Sequence, residues 1–152
     1  MAKKLTLMMA VALLACAAQV GAQSNELLDA LLEEQTTSFG QASYLVLTAA
    51  GRLSEGASPA EAALVVTAQG WKAPQKGADE PLTLGEYSFL LMQAFEMKGG
   101  LMYRIFPGPR YAGRELAYLR FIRGDTSPYR LLRGEEAVGI LGRLLAWKEA
   151  QS

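Results

Sequence analysis

Apolar positions along this chain recur three and four apart far more often than they alternate, which predicts helices rather than strands. In "NELLDALLEEQ", Leu27, Leu28, Leu31 and Leu32 form one stripe with acids opposite, behind Asn25 as N-cap. "QASYLVLTAAGRL" continues as a small-residue helix from Gln41, and residues 54–58 read as a loop. "SPAEAALVVTAQG" opens on Ser58 as cap, Pro59 at the first helical position and Glu61 three residues after the cap, and Gly70 closes it. "TLGEYSFLLMQAFEMKGG" repeats that grammar. Thr83 and Glu86 make the box, Tyr87, Leu90, Leu91, Ala94 and Phe95 the buried face, and Gly99-Gly100 the stop. "LMYRIFPGPRY" is interrupted by proline and glycine and reads as a connection with a short extended piece over Leu101–Phe106. A helix follows from Arg110 to Arg123, with Tyr111, Leu116, Tyr118, Leu119 and Ile122 apolar and Gly124 ending it. "GEEAVGILGRLLAWKEA" turns Ala137, Ile140, Leu141, Leu144 and Leu145 inward. The expected fold is all-α, a compact bundle of about six short helices, in a single domain over residues 23–152.

The first 22 residues carry a different pattern. Lys3 and Lys4 precede an apolar run from Leu5 to Ala15 broken only by Thr6. That run is too short to span a bilayer and has the form of an export signal. Two exits compete within it. Leu13-Leu14-Ala15-Cys16 resembles a lipobox, which would tether the chain to a membrane leaflet through a lipidated Cys16. Val20-Gly21-Ala22 has small residues at both key positions and would release a chain starting at Gln23. The second is favoured, because "AAQVGA" after Cys16 is not a polar tether. The expected location is the periplasm or cell envelope, with membrane attachment only if Cys16 is lipidated.

Composition narrows the chemistry. The chain has no histidine and one cysteine, Cys16. A Ser-His-Asp or Cys-His apparatus is excluded, as are zinc sites of the Cys/His type. The paired acids Glu33-Glu34 and Glu135-Glu136 are sequence neighbours and do not face each other on a helix. No enzyme, metal or cofactor is therefore expected. Charge is balanced overall but unevenly spread: residues 23–96 hold ten acids and three bases, residues 97–152 five acids and ten bases. A basic second half suits an anionic ligand, or packing against the acidic first half. Nucleic acid is not an expected partner, given export, a slightly negative charge over residues 23–152 and the lack of a recognition motif.

A helix-start phrase occurs three times, at Ser58-Pro59-Ala60-Glu61, Thr83-Leu84-Gly85-Glu86 and Arg133-Gly134-Glu135-Glu136, which suggests tandem helix-loop-helix units. The last unit, with Tyr111-Ala112, Ile122-Arg123-Gly124-Asp125, Arg133 to Glu136 and Leu141-Gly142-Arg143-Leu144-Leu145, resembles a degenerate S-layer homology (SLH) unit of bacterial envelope proteins. Pro81 to Glu86 resembles the start of the second helix of such a unit. The resemblance implies a helical repeat that binds cell-wall polysaccharide through the arginine of a Thr-Arg-x-Glu phrase. Here that place holds Leu84 and Ala60, and only Arg133 lies near it, shifted by one.

The richest stretch for binding is residues 99–124, where Arg104, Arg110, Arg114, Arg120 and Arg123 alternate with Tyr103, Phe106, Tyr111, Tyr118 and Phe121. Guanidinium groups fit carboxylates and phosphates, and aromatic faces fit sugar rings. The binding candidates are Arg104, Arg110, Tyr111, Arg114, Arg120, Arg123 and Arg133. A buried aromatic face with solvated arginines opposite accounts for the same spacing. The expectation is a non-catalytic envelope module binding a cell-wall polysaccharide, peptidoglycan or an envelope protein. The alternative is a structural or assembly subunit without a glycan ligand.

Overall fold

The computed structural model describes residues 25–71, 73 and 75–152. The leader expected over residues 1–22, with Cys16 and the Ala22 exit, lies outside them. Among the described residues there are seven helices and no strand. They are α1 over 25–33, α2 Phe39–Ala49, α3 Pro59–Ala68, α4 Leu84–Ala94, α5 Leu101–Ile105, α6 Pro109–Tyr118 and α7 Gly134–Glu149. The all-α expectation holds. The extended piece expected over Leu101–Phe106 is instead α5, opened by an extended Gly100. An apolar run that short carries too little periodicity to tell a strand from one helical turn.

Three boundaries differ from the sequence reading, each for a local reason. α2 starts at Phe39, capped by Ser38, rather than at Gln41: the Ser38 hydroxyl accepts from the Gln41 amide, and the Gln41 side chain accepts from the Ser38 amide at 2.9 Å. α4 stops at Ala94, well before Gly99-Gly100, because Glu96 takes a left-handed conformation at φ 55°. α6 stops at Tyr118 because Arg120 does the same at φ 62°. At the matching positions after α2 and α3 stand Gly51 and Gly70, at φ 68° and 67°. Glycine is the usual occupant there, so charged residues at two such places hid both helix ends. Tyr118, read among the apolar positions of this helix, is its last residue and is 83% exposed.

α2 packs chiefly on α3 and α4 chiefly on α6, making two helical hairpins, and α2 also touches α4 and α7. What joins them is a closed cycle of backbone hydrogen bonds. The Thr37 amide donates to Leu132 O at 2.8 Å, Leu132 to Leu82 O at 2.9 Å, and Leu82 to Thr37 O at 3.0 Å. Each of these three residues immediately precedes a helix N-cap, at Ser38, Thr83 and Arg133, and each is fully buried. The next amide of each helix crosses to a neighbouring loop: Phe39 to Glu80 O at 2.8 Å, Leu84 to Arg130 O at 2.9 Å, Gly134 to Glu34 O at 3.2 Å. These bonds satisfy helix-start amides that have no partner inside their own helix. The result is a pseudo-threefold arrangement of α2–α3, α4–α6 and α7–α1, whose last pair unites helices from opposite ends of the described residues.

The repeat is therefore phased differently from the expectation. Ser58 to Glu61 does form a capping box, but it starts α3, the second helix of its pair. The counterpart of Thr83 to Glu86 is Ser38-Phe39-Gly40-Gln41. Phe39 and Leu84, buried at the first helical positions, match Gly134. That place has no room for a side chain, because a methyl group there would overlap the Leu31 carbonyl oxygen. Leu31, Phe39, Leu82, Leu84, Tyr87, Leu116, Leu132 and Ile140 belong to one buried cluster, and the Tyr87 hydroxyl donates to Ala137 O at 2.8 Å, tying α4 to α7. Trp71 and Trp147 cover this core half-buried, Trp147 with its ring 5.7 Å from that of Phe121.

Gly134→Ala is expected to destabilise the protein by about 2–3 kcal/mol through overpacking against α1. Gly142→Ala, where an added methyl meets nothing within 4 Å, is expected to be neutral or to gain up to about 1 kcal/mol. Urea denaturation of the two variants checks the contrast. The Thr37 hydroxyl is buried with no hydrogen-bond partner among the described residues. Thr37→Val keeps the backbone cycle and removes that hydroxyl, so a gain of about 1 kcal/mol is expected in the same assay.

Candidate anion-binding groove

The third residue of each ring helix reaches across to the loop of the neighbouring pair. Gln41 Nε2 donates to Glu34 Oε1 at 2.8 Å, Lys76 Nζ to Glu86 Oε2 at 2.9 Å, and Arg130 Nη1 to Glu136 Oε2 at 2.8 Å. The Arg130 pair is bidentate, with Nη2 on the second Glu136 oxygen. Arg130 also donates from Nε and Nη2 to the Asp125 carbonyl, at 2.9 and 2.8 Å. Asp125 Oδ1 in turn accepts from the Ser127 amide at 2.9 Å. The hydrogen bonds that Arg130 donates to Glu136 hold its guanidinium above the ordinary pKa, against the effect of burial, with the charges of Glu136 and Asp125 adding to the rise. Arg130 is thus committed to fixing the loop before α7.

Beside this clamp lies a groove of about 460 Å³ lined by Arg123, Arg133, Glu135, Glu136, Val138, Gly139 and Arg143. Arg123 leaves the loop after α6, Arg133 is the N-cap of α7 with no side-chain capping bond, and Arg143 stands on the body of α7. Glu136, Gly139 and Arg143 are spaced along one face of that helix. Gly139 leaves room for the guanidinium, whose Nη1 lies 3.3 Å from where a Cβ would sit. Arg143 Nε donates to Phe121 O at 2.6 Å, which orients the side chain. Burial, and next the positive charge of Arg123, push the Arg143 guanidinium below its ordinary value, with Glu136 opposing. Arg123 and Arg143 therefore repel each other, and a bound anion would relieve that repulsion.

No family model, curated protein or solved structure matches this chain. The groove is assigned on its own chemistry.

The single arginine surface expected over residues 103–123 is divided by the fold. Arg123 and Arg133 meet in the groove. Arg104 is exposed on α5, Arg110 and Arg114 are exposed on α6, and Arg120 occupies its left-handed turn; none of the four lines the groove. The Arg110 guanidinium lies 5.9 Å from the ring centre of Tyr111, itself half-buried and stacked on Phe106 at 6.3 Å. Among the described residues none of Arg104, Arg110, Arg114, Arg120, Arg123 and Arg133 forms an ion pair. Packing against the acidic first half, the alternative to an anionic ligand, is not seen as ion pairs to these six among the described residues. Arg143 was missed as a site residue. Its legible signal is the seven-residue step from Glu136, which returns to the same helix face.

The three ring helices also show how local the cluster is. The places of Arg133 and Arg143 on α7 are Ser38 and Thr48 on α2, and Thr83 and Gln93 on α4. Three equivalent helix starts exist, and one of them gathers arginines. Arg130→Ala is expected to cost about 2 kcal/mol of stability, since it removes charged hydrogen bonds at a site less than a quarter exposed. Arg123→Ala and Arg133→Ala are expected to change stability by less than about 0.5 kcal/mol. Guanidinium denaturation curves of the three variants separate the clamp from the groove.

Proposed function

We propose that this protein is an exported, non-catalytic module of the bacterial envelope that holds an anionic cell-wall polymer in the groove at the start of α7. The observation that carries this reading is that Arg123, Arg133 and Arg143 line one groove beside α7, next to a clamp that already neutralises Arg130. Two exposed arginines and the half-buried Arg143, without ion partners among the described residues, favour a ligand bearing several carboxylates or phosphates. Glu135 and Glu136 at the rim select against a dense polyanion and favour a chain whose charges are spaced out. The export signal read over residues 1–22 supports an envelope location. The helix-start phrases at Thr83 and Arg133, both on the ring, support the SLH-like reading of the repeat. Leu84 and Gly134 stand where that family would carry its ligand arginine, so the groove arginines would serve a ligand from different positions.

The test is co-sedimentation with purified cell wall, before and after its anionic secondary polymers are extracted. The wild-type protein is expected to sediment with intact wall, less so with extracted wall, and to be released by salt. Arg123→Gln with Arg133→Gln is expected to weaken retention by about tenfold or more without lowering the melting temperature. Arg110→Ala with Arg114→Ala is expected to leave retention unchanged. Equal retention of the groove variant, or no retention of the wild type, would overturn the proposal.

A further inference from the structure

The two helical hairpins are closed by unlike connections. α2 and α3 are joined by residues 50–58, which contain no helix. α4 and α6 are joined by residues 95–108, which contain α5. Closing a helical hairpin does not require that extra turn. α5 is fastened by one buried side chain, Tyr103, whose hydroxyl accepts from Gln93 Nε2 at 2.8 Å and whose ring lies 6.4 Å from that of Phe89. Its remaining apolar residues face outward. Leu101 is 70% exposed, Met102 52%, Ile105 55% and Phe106 59%. Leu101 and Ile105 are four apart, as are Met102 and Phe106, so the four make one continuous face. Four neighbouring apolar side chains, each more than half exposed, form a projection rather than a pocket.

The charge around this projection has one sign. From Met97 to Arg114 the chain carries Lys98, Arg104, Arg110 and Arg114 and no acid. Flanking acids are turned to other uses: Glu96 pairs with Arg52 at 2.7 Å, and the half-buried Glu115 lies against Gly100. An apolar tip that carries Arg104 on the same short helix, with Arg110 over the Tyr111 ring that stacks on Phe106, is the composition that settles into the boundary of an anionic bilayer, with long cationic side chains reaching back to the headgroups. A second copy of this chain fits less well, because a symmetric contact through the tip would bring Arg104 and Arg110 of both copies together. No described helix is long and apolar enough to cross a membrane, so such contact is shallow.

We infer that α5 is a peripheral membrane contact, inserting Leu101, Met102, Ile105 and Phe106 into the surface of a bilayer containing anionic phospholipid. This contact is separate from the groove and does not depend on the wall-binding proposal. It is tested with the full chain, so that residues 1–24 are common to every sample. Phe106→Trp supplies a local probe. With vesicles of phosphatidylcholine and phosphatidylglycerol, its emission, after subtraction of the wild-type signal, is expected to shift to the blue and to be quenched by brominated lipid. With phosphatidylcholine alone the change is expected to be small. Leu101→Ser with Ile105→Ser is expected to reduce vesicle binding by about tenfold, and Arg104→Gln with Arg110→Gln to remove the preference for phosphatidylglycerol. Circular dichroism confirms that the variants fold. An unshifted, unquenched probe overturns the inference. So does a probe that responds to protein concentration rather than to lipid, with dimers in sedimentation equilibrium, since the tip is then a self-association surface.

Discussion

Three buried amides and three buried carbonyls, on Thr37, Leu82 and Leu132, find their partners only in one another. Leaving any of them unpaired would cost the desolvation of a backbone polar group. The cycle fixes the height at which α2, α4 and α7 begin, and with it the register of every contact below. The amides of Phe39, Leu84 and Gly134 then reach loop carbonyls, and Gln41, Glu86 and Glu136 reach loop side chains. α1 is drawn in by the same constraint. It supplies Leu31 to the core, Glu34 just past its end accepts from the Gly134 amide, and the lack of a side chain at Gly134 lets the Leu31 backbone approach.

A pseudo-symmetric frame of this kind separates stability from decoration. The positions that hold the frame are apolar, small or backbone-bonded, and they repeat. The positions that face solvent beside each helix start are free to differ, and they do: Ser38 and Thr83 cap their helices, whereas Arg133 does not and turns its charge to the groove. Likewise the α2–α3 connection is short and helix-free, whereas the α4–α6 connection grew a helical turn with an apolar tip. Both proposed contacts, the groove and the α5 tip, arise where one copy departs from its siblings. The frame tolerates these departures because none of them touches the hydrogen-bonded cycle.

Much of the secondary structure was legible because it is local. The capping boxes at Ser58 and Thr83, the inward faces of α4 and α7, and the helical periodicity follow from residues within a few positions of each other. The ends of α4 and α6 were not legible, because Glu96 and Arg120 take the left-handed conformation that glycine usually marks. α5 was not legible either, since five residues contain too little of a period.

The sequence by itself determined every helix but α5, where most of them start, the lack of histidine and the concentration of positive charge after residue 96. Those properties depend on side-chain type and short spacing. Tertiary structure decided the phase of the repeat, the pairing of α7 with α1, the gathering of Arg123, Arg133 and Arg143, and the exposure of the α5 face. These rest on backbone bonds between residues as distant as Thr37 and Leu132, and a backbone amide has no side-chain signature by which its remote partner can be read.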